Sequence, residues 1–483
     1  MTDVGEKTVS SPKVRPLGWA CAAMGGSMVA EPGHSGATFT GVAIDSRQVK
    51  PGRLFFALPG ERVDGFDFCA AAAKAGAAAV VVSSERGMPA ECEGVAVIAV
   101  GDVRRALGDL ARAVRARFKG CVVGVTGSNG KTTTKELIAA ALSVAGTVLR
   151  TQGNFNTDVG LPMTVLESTE EEDFWVLEMA MRARGEIAYL ASIAKPNVGV
   201  VTNVAGAHLE RLGSIEEVAR AKGEIFHGLA DGGVAVLPAD DALLEIEASH
   251  LPEGRKLRFA LSGPRPVRAE VRILECIPAG EKGSMVRLSV GTTPVTVRLP
   301  LAGEHNARNA AAALAVASAC KVPILAAAKA LETAVLPPHR SRLHVFAGRR
   351  VMDDCYNANP TSMRAALHMV AASAGAAGSA FAVLGDMLEI GPETARAHEE
   401  LGQEVARLGF AGLAAVGELA AHMASGARSA GLPRNRVVAT LDPDLAAGTL
   451  AAWTKPGDWI LVKASRGMRL ERALDALERK LGT

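Results

Sequence analysis

The chain has 483 residues, of which 48% are hydrophobic and 22% are charged, and its 53 basic and 51 acidic residues leave a net charge of +2. This length and composition predict a packed protein of about three domains rather than a disordered chain. The near balance of charge argues against bulk electrostatic binding to nucleic acid or to an anionic membrane, and leaves room only for a local basic pocket for a phosphorylated ligand.

The cysteines and the N-terminal segment bear on the compartment. Seven cysteines are scattered along the chain without a C-x-x-C pair, which favours reduced thiols over a disulfide framework or a zinc site. Lys13 and Arg15 precede a short apolar stretch that is interrupted by glycine, which is typical of a domain helix rather than a signal sequence. No run reaches the ~18 uninterrupted apolar residues of a membrane span. We therefore expect a cytoplasmic protein without membrane insertion.

The first block, residues 1–119, is rich in turn signals. Pro-Gly or Asp-Gly pairs at 51–52, 59–60 and 64–65 separate short apolar runs. A helix over 68–75 and a strand over 79–83 follow, and a helical stretch over 104–118 resembles a connector. These elements predict a small α/β domain.

The second block, residues 120–336, alternates strands with helices, which predicts a parallel sheet with helices on both faces. Residues 268–300 instead alternate apolar and polar side chains, and this pattern predicts antiparallel strands attached to the sheet. A helix of small residues is predicted over 306–319. The parallel strands are predicted at 121–125, 148–151, 175–179, 198–203 and 234–237.

The third block, residues 337–483, begins after two prolines and repeats the alternation of strands and helices, so a doubly wound, Rossmann-like domain is predicted. The whole chain is thus predicted to be an α/β protein of three domains. In the third block, strands are predicted at 350–355, 381–385, 413–417, 437–441 and 459–463, and helices at 362–372, 393–408 and 470–481.

Residues 122–136 read V-V-G-V-T-G-S-N-G-K-T-T-T-K-E and form the most informative segment. An apolar strand runs into a glycine-rich turn that ends in Lys131 and Thr132 at the start of a helix. Small residues let backbone N–H groups close around phosphate oxygens, while the lysine reaches the outer phosphates and the threonine hydroxyl holds magnesium. The strict G-x-x-x-x-G-K-[ST] pattern is not met, because its first glycine would fall on Val125. A glycine-rich turn before an ordinary helix is the alternative.

Three further residues are candidates for a metal site beside this loop. Glu178 ends the apolar strand F-W-V-L-E, where a buried carboxylate must be solvated or paired, although it could equally cap a helix. His208 follows another strand, but a lone histidine is more often a loop residue than a ligand. Lys222 precedes a glycine inside a helix, where glycine costs about 1 kcal/mol relative to alanine. Taken alone, Lys222 reads as a surface lysine.

Other polar clusters follow strands or begin helices, and their recurrence favours a binding role over a set of ordinary turns. His305, Asn306 and Asn309 begin a helix, where they suit the edge of a base or, for Asn306, a helix cap. Arg340 and Arg342 lie at the boundary of the second and third blocks. The remaining clusters are Asp353, Asp354, Tyr356, Asn357 and Asn359, and then Lys463, Ser465 and Arg466.

These segments resemble the Mur ligases, the ATP-dependent amide-forming family of peptidoglycan synthesis. The similar segments are T-G-S-N-G-K-T-T-T-K-E, G-N-F-N-T-D-V-G-L-P-M-T, A-H-L-E-R-L-G-S with A-K-G-E-I-F, G-E-H-N-A-R-N-A, D-D-C-Y-N-A-N-P-T-S-M, G-D-M-L-E-I-G and V-K-A-S-R-G-M. The D-S-R of the first block fits too, so the resemblance covers almost the entire chain. The Y-N-A-N-P-x-S-M and G-D-M-L-E pair is similar to the branch that adds D-alanyl-D-alanine to UDP-N-acetylmuramoyl-tripeptide.

The resemblance implies a UDP-sugar domain over 1–119, an ATP-binding domain over 120–336 and a ligase domain over 337–483. It implies ATP and Mg²⁺ as cofactors, and an acyl phosphate that the dipeptide amine attacks. It implies Lys131, His208 and Lys222 as catalytic residues, with Lys222 carbamylated, and Thr132, Glu178, His208 and Lys222 around the metal. The loop residues expected to hold the triphosphate are Gly127, Ser128, Asn129, Gly130, Lys131, Thr132 and Thr133.

The resemblance also implies how the rest of the ligands are held. Asn309 with His305 would contact the adenine, Asp354 would bind the ribose, and Arg342 rather than Arg340 would reach the nucleotide, because R-L fits the family pattern better. Ser46 and Arg47 would hold the uridine diphosphate. The residues implied at the dipeptide cleft are Asn357, Lys463, Ser465 and Arg466.

Departures from the family pattern are small. Ala180 and Ala464 stand where glycine is common, and Cys355 stands where serine is common, so they bear on the fine shape of the cleft. A non-catalytic nucleotide-binding regulator is disfavoured by the intact loop and metal set, and a folate ligase by the D-S-R segment of the first block. The family pattern implies a monomer. The third residue of the acceptor peptide, diaminopimelate or lysine, is not revealed.

Overall fold

The computed structural model describes residues 12–30, 37–60, 63–206, 209–262, 268–375 and 378–482. Its three larger sheets have five, nine and six strands and follow one another along the chain. All three combine parallel strands with helices, so the predicted α/β class is confirmed. Within the described residues, no helix is both long and apolar enough to cross a membrane.

The first part of the chain is a small α/β unit. Its elements are β1 Val14–Pro16, α1 Leu17–Ala23, β2 Ser27–Ala30, β3 Thr38–Thr40, β4 Val42–Ala43, β5 Leu54–Phe56, α2 Cys69–Lys74, β6 Ala79–Ser83, β7 Ala96–Val100 and α3 Val103–Arg117. The five-stranded sheet has the order β2-β7-β6-β5-β4, and only β2 runs antiparallel to its neighbour. Strand β6 reads A-V-V-V-S and is buried along most of its length, as expected for a parallel strand covered on both faces.

The second part contains the nine-stranded sheet. Its elements are β8 Cys121–Thr126, α4 Lys131–Leu142, β9 Val148–Arg150, α5 Gly160–Leu166, β10 Phe174–Glu178, α6 Glu186–Ala194, β11 Val198–Val201, α7 Leu209–Leu212, α8 Ile215–His227, β12 Val234–Pro238, α9 Ala242–Glu247, β13 Lys256–Leu261, β14 Val271–Pro278, β15 Ser284–Val290, β16 Thr293–Leu299, α10 Glu304–Ala319 and α11 Ile324–Leu331. The strand order is β16-β15-β14-β13-β12-β11-β8-β10-β9. Strands β14, β15 and β16 pair antiparallel, as predicted.

Strand β8 lies between β10 and β11, and all three run parallel. Their carboxyl ends therefore meet at one edge of the sheet, which is where open α/β sheets bind ligands. The loops that follow these strands carry the glycine-rich turn, Glu178 and the segment that contains His208. Residues 207–208 lie outside the described part of the chain.

The third part is a six-stranded, doubly wound sheet of order β17-β18-β22-β19-β20-β21, with β17 as an antiparallel edge strand. Strand β17 and helices α14 and α15 were not predicted from the sequence. The elements are β17 Arg342–Phe346, β18 Arg349–Asp353, α12 Pro360–Ala374, β19 Ala380–Gly385, α13 Thr394–Arg407, β20 Gly412–Val416, α14 Ala420–Ser429, β21 Val437–Thr440, α15 Pro443–Trp453, β22 Trp459–Lys463 and α16 Glu471–Leu481.

The first and second parts share one continuous hydrophobic core. Helix α3 packs against α5 and α6, and the Phe118 ring stacks on Trp175 with 3.8 Å between ring centroids. Polar contacts reinforce the joint, because the buried Arg15 guanidinium donates to Glu170 Oε1 at 2.9 Å and to two backbone carbonyls. Arg53 forms a bidentate ion pair with Glu167. These contacts hold the two parts together as one body.

The third part has hydrophobic clusters almost entirely its own, with Ala302 as the one described residue of the second part that joins them. Among the described residues, polar contacts bridge the second and third parts from Arg350 to Glu281 at 2.7 Å and from Asn359 to Asn129 at 2.6 Å. A cleft of about 1730 Å³ opens between these parts. The predicted domain limits, 1–119, 120–336 and 337–483, stay predictions.

Candidate active site

The glycine-rich turn after β8 has the backbone shape that only glycine allows. Gly127 has φ +148°, and a Cβ there would lie 1.8 Å from Thr202 Oγ1. Gly130 has φ +79°, and a Cβ there would lie 2.6 Å from Asn309 Oδ1. Both glycines thus permit a close approach of backbone to neighbouring side chains as well as a left-handed turn. Thr202, which follows β11, holds the turn in place, because its Oγ1 donates to Asn129 O at 2.6 Å.

Helix α4 begins at Lys131, so its free N–H groups face the turn, where an anion is stabilised by the helix dipole. Lys131 Nζ donates to Gly127 O at 2.8 Å and lies folded over the loop. Burial lowers the pKa of Lys131, Glu178 opposes that shift, and Arg340 adds to it. Lys131, Glu178 and Arg340 therefore lie within electrostatic reach of one another. The turn, from Ser128 to Thr133, lines the cleft.

Glu178 supplies the observation that bears on a metal. Its side chain is 2% exposed at the end of β10, and Asn156 Nδ2 donates to its Oε1 at 2.7 Å. Its Oε2 is buried without a hydrogen-bond partner among the described residues. A buried carboxylate oxygen that lacks a donor is costly unless a cation lies beside it. Thr132 lines the same cleft, and its hydroxyl together with this oxygen suits the hard, oxygen-preferring Mg²⁺.

No group of three or more His, Cys, Asp or Glu side chains poised for a metal occurs in the part of the chain that the structure describes. The predicted ligand His208 lies outside that part. Of the predicted metal set, Thr132, Glu178 and Lys222 are described. The donors present fit a magnesium ion that is bound mainly through phosphate oxygens of a nucleotide, with one carboxylate and one hydroxyl from the protein.

Lys222 is buried, although its sequence context alone suggested a surface lysine. It lies in α8 and is 2% exposed. Burial lowers its pKa well below the ordinary value, and the positive charge of Lys131 adds to the shift. The glycine that follows has a packing role, because a Cβ on Gly223 would lie 2.5 Å from Glu247 Cβ on α9. Lys222 is therefore a buried amine whose charged form is disfavoured, within electrostatic reach of Lys131.

The start of α10 braces the loop from the other side. Thr134 Oγ1 donates to Asn309 Oδ1 at 3.1 Å, and Asn309 Nδ2 donates to Asn306 Oδ1 at 3.1 Å. The amide of Asn309 is thus engaged within the protein at both ends. His305 lies half-buried on the cleft wall, and its Nε2 accepts from Asn306 Nδ2 at 3.1 Å, so its proton lies on Nδ1.

Burial lowers the pKa of His305, while Asp354 of the third part opposes the shift and Lys463 adds to it. His305 is therefore neutral at physiological pH and faces both residues across the cleft. A neutral imidazole with one donor and one acceptor suits the edge of a nucleobase.

On the third part, residues predicted to bind ligand also brace one another. Lys463 is 3% exposed, and its Nζ donates to Asp354 Oδ2 at 2.5 Å and to Asn357 O at 2.9 Å. Ser465 Oγ accepts from Leu388 N at 2.9 Å and donates to Ala358 O at 3.3 Å. The end of β22 thus ties together the loops that follow β18 and β19. Asp354, Asn357 and Lys463 line the cleft.

The two boundary arginines differ in placement. Arg340 lines the cleft, its guanidinium lies 3.8 Å from the centroid of the Tyr356 ring, and its Nε is buried without a hydrogen-bond partner among the described residues. Arg342 begins β17, is exposed, and is not among the residues that line the cleft. The geometry thus favours Arg340 as the cation that faces the nucleotide site.

Four predicted substrate residues are not among those that line the cleft: Ser46, Arg47, Ser465 and Arg466. Ser46 and Arg47 form a short 3₁₀ turn in the first part, where Arg47 pairs with Asp45 at 2.7 Å. The hydrogen bond from the Arg47 side chain lowers the pKa of Asp45 to about 2. Arg466 is exposed and pairs with Glu471 at 3.2 Å. These residues remain predicted substrate contacts.

Several cleft residues had no assigned role in the sequence analysis. Asn156 holds Glu178, and Asn203 fixes Asn129 through two hydrogen bonds of 3.0 Å. Asn156 lies in the family-like segment G-N-F-N-T-D-V-G-L-P-M-T, which was the only signal for it, whereas Asn203 lies outside the family-like segments and had no such signal. Their roles as supports depend on contacts between distant loops, which spacing along the chain does not reveal.

Comparison with known families assigns all three parts of the chain. Residues 38–115 match the Mur ligase family, catalytic domain, residues 125–317 match the Mur ligase middle domain, and residues 339–466 match the Mur ligase, glutamate ligase domain. The chain belongs to the Mur ligase family. As expected for this family, it uses ATP with Mg²⁺.

Individual relatives agree along nearly the whole length. The chain is 37% identical to the UDP-N-acetylmuramoyl-tripeptide–D-alanyl-D-alanine ligase of Mycobacterium tuberculosis (strain H37Rv), over 90% of this chain and 91% of that protein. It is 36% identical to the Bacillus subtilis ligase of the same name, over 93% of this chain and 95% of that protein.

Solved Mur ligase structures show the same architecture. A crystal structure of MurF from Acinetobacter baumannii has a TM-score of 0.85 and 30% identity, and covers 97% of this chain and 99% of that one. MurF ligase from Thermotoga maritima in complex with ADP has a TM-score of 0.78 and 30% identity, and covers 91% of this chain and 97% of that one.

Proposed function

We propose that this Mur ligase joins D-alanyl-D-alanine to UDP-N-acetylmuramoyl-tripeptide, with ATP converted to ADP and phosphate, to form the pentapeptide precursor of peptidoglycan. The observation that carries the proposal is a cleft in which a phosphate loop and the buried oxygen of Glu178 face the polar loops of a separately folded third part. Relatives with that activity in their names are 35–37% identical over at least 90% of the chain.

The first half of the reaction activates the acid. A tripeptide carboxylate oxygen attacks the γ-phosphorus of ATP, the bond from that phosphorus to the β–γ bridging oxygen breaks, and ADP leaves. Lys131 and the free N–H groups at the start of α4 bind the phosphates and neutralise charge on the migrating group. Bound Mg²⁺ supplies further charge neutralisation, and Thr132, Glu178 and His208 are proposed to hold it.

The second half forms the amide. The neutral amine of the dipeptide attacks the acyl carbon, inorganic phosphate leaves, and the amine proton passes to solvent or a nearby base. The cleft must exclude water at this stage, because water would hydrolyse the acyl phosphate. Hydrogen bonds from Lys463 and Ser465 brace the loops on the side of the third part. We propose that the dipeptide site is bounded by Asn357, Lys463, Ser465 and Arg466.

We also propose that Lys222 is carbamylated. A buried, neutral amine attacks carbon dioxide and loses one proton to solvent, which leaves an anionic carbamate close to Lys131. This anion would brace the metal site. Carbon-13 NMR with labelled bicarbonate should show a carbamate signal that is absent in Lys222→Ala. Short carboxylic acids should partly rescue the activity of that variant, and an unimpaired Lys222→Ala would remove this role.

The remaining assignments are proposals of the same kind. Residues 1–119 hold the UDP-sugar through Ser46 and Arg47, residues 120–336 hold ATP, and residues 337–483 complete the cleft. His305 contacts the adenine, with Asn309 positioning the loop, and Asp354 contacts the ribose. Arg340 takes the nucleotide-facing role expected of Arg342. The protein acts as a cytoplasmic monomer without a nucleic-acid partner.

Phosphate release from the purified protein tests the function. ATP, Mg²⁺ and a panel of UDP-muramoyl peptides should give phosphate only when a tripeptide and D-alanyl-D-alanine are both present. Oxygen-18 in the terminal carboxylate of the tripeptide should appear in the released phosphate. Binding of ligands without turnover would indicate a regulator instead, and release with folate acceptors would indicate a different ligase.

A further inference from the structure

Two thiols lie together on the side of the nucleotide-binding sheet opposite to the phosphate loop. Cys121 Sγ and Cys320 Sγ are 3.6 Å apart, although the residues are separated by 199 positions in the sequence. Both cysteines are half-buried. Cys121 is the first residue of β8, whose far end runs into the phosphate loop. Cys320 follows the last residue of α10, whose first turns carry Asn306 and Asn309.

The surroundings give the two thiols unequal roles. The two thiols share a hydrogen bond in which either sulfur can donate; with Cys320 as the donor, the bond lowers the pKa of Cys121 and raises the pKa of Cys320. The guanidinium of Arg115 lowers the pKa of Cys121 further, against the effect of burial. Arg115 is itself held in place by the backbone carbonyls of Ala194 at 2.6 Å and Lys195 at 2.9 Å. Cys121 is therefore the nucleophile of the pair.

The other cysteines are less suited to thiol–disulfide exchange, because they are more buried or have a raised thiol pKa. Cys21, Cys69, Cys92 and Cys355 are at most 8% exposed. Cys69 and Cys92 lie near each other, and burial raises the pKa of both thiols. Cys276 is half-buried, but burial raises the pKa of its thiol too. These residues supply internal controls for a reaction at Cys121 and Cys320.

We propose that Cys121 and Cys320 form a reversible disulfide when the protein meets a low-molecular-weight disulfide such as oxidised glutathione. The Cys121 thiolate attacks one sulfur of the oxidant, which releases one small thiol and leaves a mixed disulfide on Cys121. Cys320 then loses its proton to water and attacks the Cys121 sulfur, which releases the second small thiol. Two protein thiols are oxidised, and one small disulfide is reduced to two thiols.

The bond would join the first residue of β8 to the residue that follows the end of α10. The sulfur atoms must move from 3.6 Å apart to about 2.05 Å, a small shift at the edge of the sheet. Because the link closes a loop of 199 residues, it restricts the unfolded chain strongly. The oxidised protein should therefore unfold at a higher temperature than the reduced protein. This site is independent of the proposed ligase activity.

The test exposes the folded, full-length protein to oxidised glutathione under native conditions. Thiols counted after the treated protein is unfolded should fall by two from seven, and the melting temperature should rise and return with dithiothreitol. Cys121 and Cys320 fall in short tryptic peptides, 120–131 and 309–321, which should appear linked in a non-reduced digest. Peptide mapping needs only the natural sequence, so it stands even where a variant folds poorly.

Variants locate the reaction. Cys121→Ser and Cys320→Ser should lose the paired disulfide, and Cys276→Ser should behave like the natural protein. A thiol count that stays at seven would overturn the proposal. So would an equal loss of two thiols in Cys121→Ser, which would point to Cys69 and Cys92, or a mixed disulfide on Cys121 that persists with Cys320 present.

Discussion

Asn359 Nδ2 donates a 2.6 Å hydrogen bond to Asn129 Oδ1, and this contact joins the third part of the chain directly to the phosphate loop. The same Asn359 side chain caps α12, because its Oδ1 accepts from Ser362 N at 2.9 Å. One amide thus caps the start of a helix and contacts the loop that is proposed to bind ATP. Through this contact, nucleotide binding at the loop can influence the position of the third part across the cleft.

Asn359→Ser should separate these two roles. Serine still caps the helix, but it lacks the donor that reaches Asn129. Loss of one hydrogen bond of about 1 kcal/mol should raise KM for ATP roughly fivefold with little change in the melting temperature. Ser362→Ala is the matched control, since it weakens the cap and leaves the Asn129 contact. A larger rise in KM with Ser362→Ala than with Asn359→Ser would contradict this role.

Glu178→Gln should lose activity and keep or gain stability. The substitution retains the 2.7 Å contact with Asn156 but removes a buried charge whose second oxygen lacks a partner among the described residues. We expect phosphate release to fall by about a hundredfold or more, and the melting temperature without Mg²⁺ to stay or rise. Added Mg²⁺ should protect the natural protein against unfolding more than the variant. A variant with full Mg²⁺-dependent activity would rule out this ligand.

Arg340→Ala should impair the use of ATP far more than Arg342→Ala. Arg340 faces the cleft with an unpartnered Nε, whereas Arg342 is exposed on β17. Loss of a positioned guanidinium costs about 2–3 kcal/mol of transition-state stabilisation, so kcat/KM for ATP should fall by roughly 30- to 150-fold. Steady-state phosphate release at varied ATP measures the difference. The opposite ranking of the two variants would restore Arg342 to the role that the sequence indicated.

Gly223→Ala should destabilise the protein, because its Cβ would meet Glu247 Cβ at 2.5 Å. Overpacking of this kind costs about 1–3 kcal/mol. Gly101→Ala is the control, since a Cβ at Gly101 has nothing within 4 Å. Equilibrium unfolding in urea measures both. Glu247→Gly should recover part of the loss in the double variant, and an additive double variant would show that the contact is not the cause.

His398 should make the stability fall in acid. It is fully buried in α13, where its Nε2 accepts from Met387 N at 2.9 Å and its Nδ1 donates to Thr394 O at 2.7 Å. Burial lowers its pKa below 6.5, so the unfolded chain binds this proton more tightly than the folded chain. The free energy of unfolding should therefore drop as pH falls through and below 6.5. His398→Gln should flatten that part of the profile, and an unchanged slope would exclude this residue as the cause.

Local signals predicted much of the site. The phosphate loop, Glu178 at the end of β10 and the clusters after β18 and β22 follow from short patterns that physics ties to a strand end or a helix start. The sequence missed α14 and α15, whose alanine-rich stretches lack a clear polar face. The local sequence also predicted an exposed Lys222, because the burial of this residue depends on the elements packed around α8.

Other features depended on contacts that no local pattern contains. Arg340 and Arg342 are two positions apart, and only the start of β17 at Arg342 decides which guanidinium faces the cleft. The Asn129–Asn359 contact joins residues 230 positions apart. Lys463 and Ser465 were predicted as substrate contacts, and the structure adds that their polar atoms hold neighbouring loops.

The hydrophobic core that runs unbroken from the first part into the second has a mechanical consequence. The first part, proposed to bind the UDP-sugar, and the second part, proposed to bind ATP, form one side of the cleft, and the third part forms the other side. Acid and γ-phosphate would then be presented by a single rigid frame, so phosphorylation of the acid needs no rearrangement between its two carriers. Only the positioning of the dipeptide amine would depend on closure of the third part over the cleft.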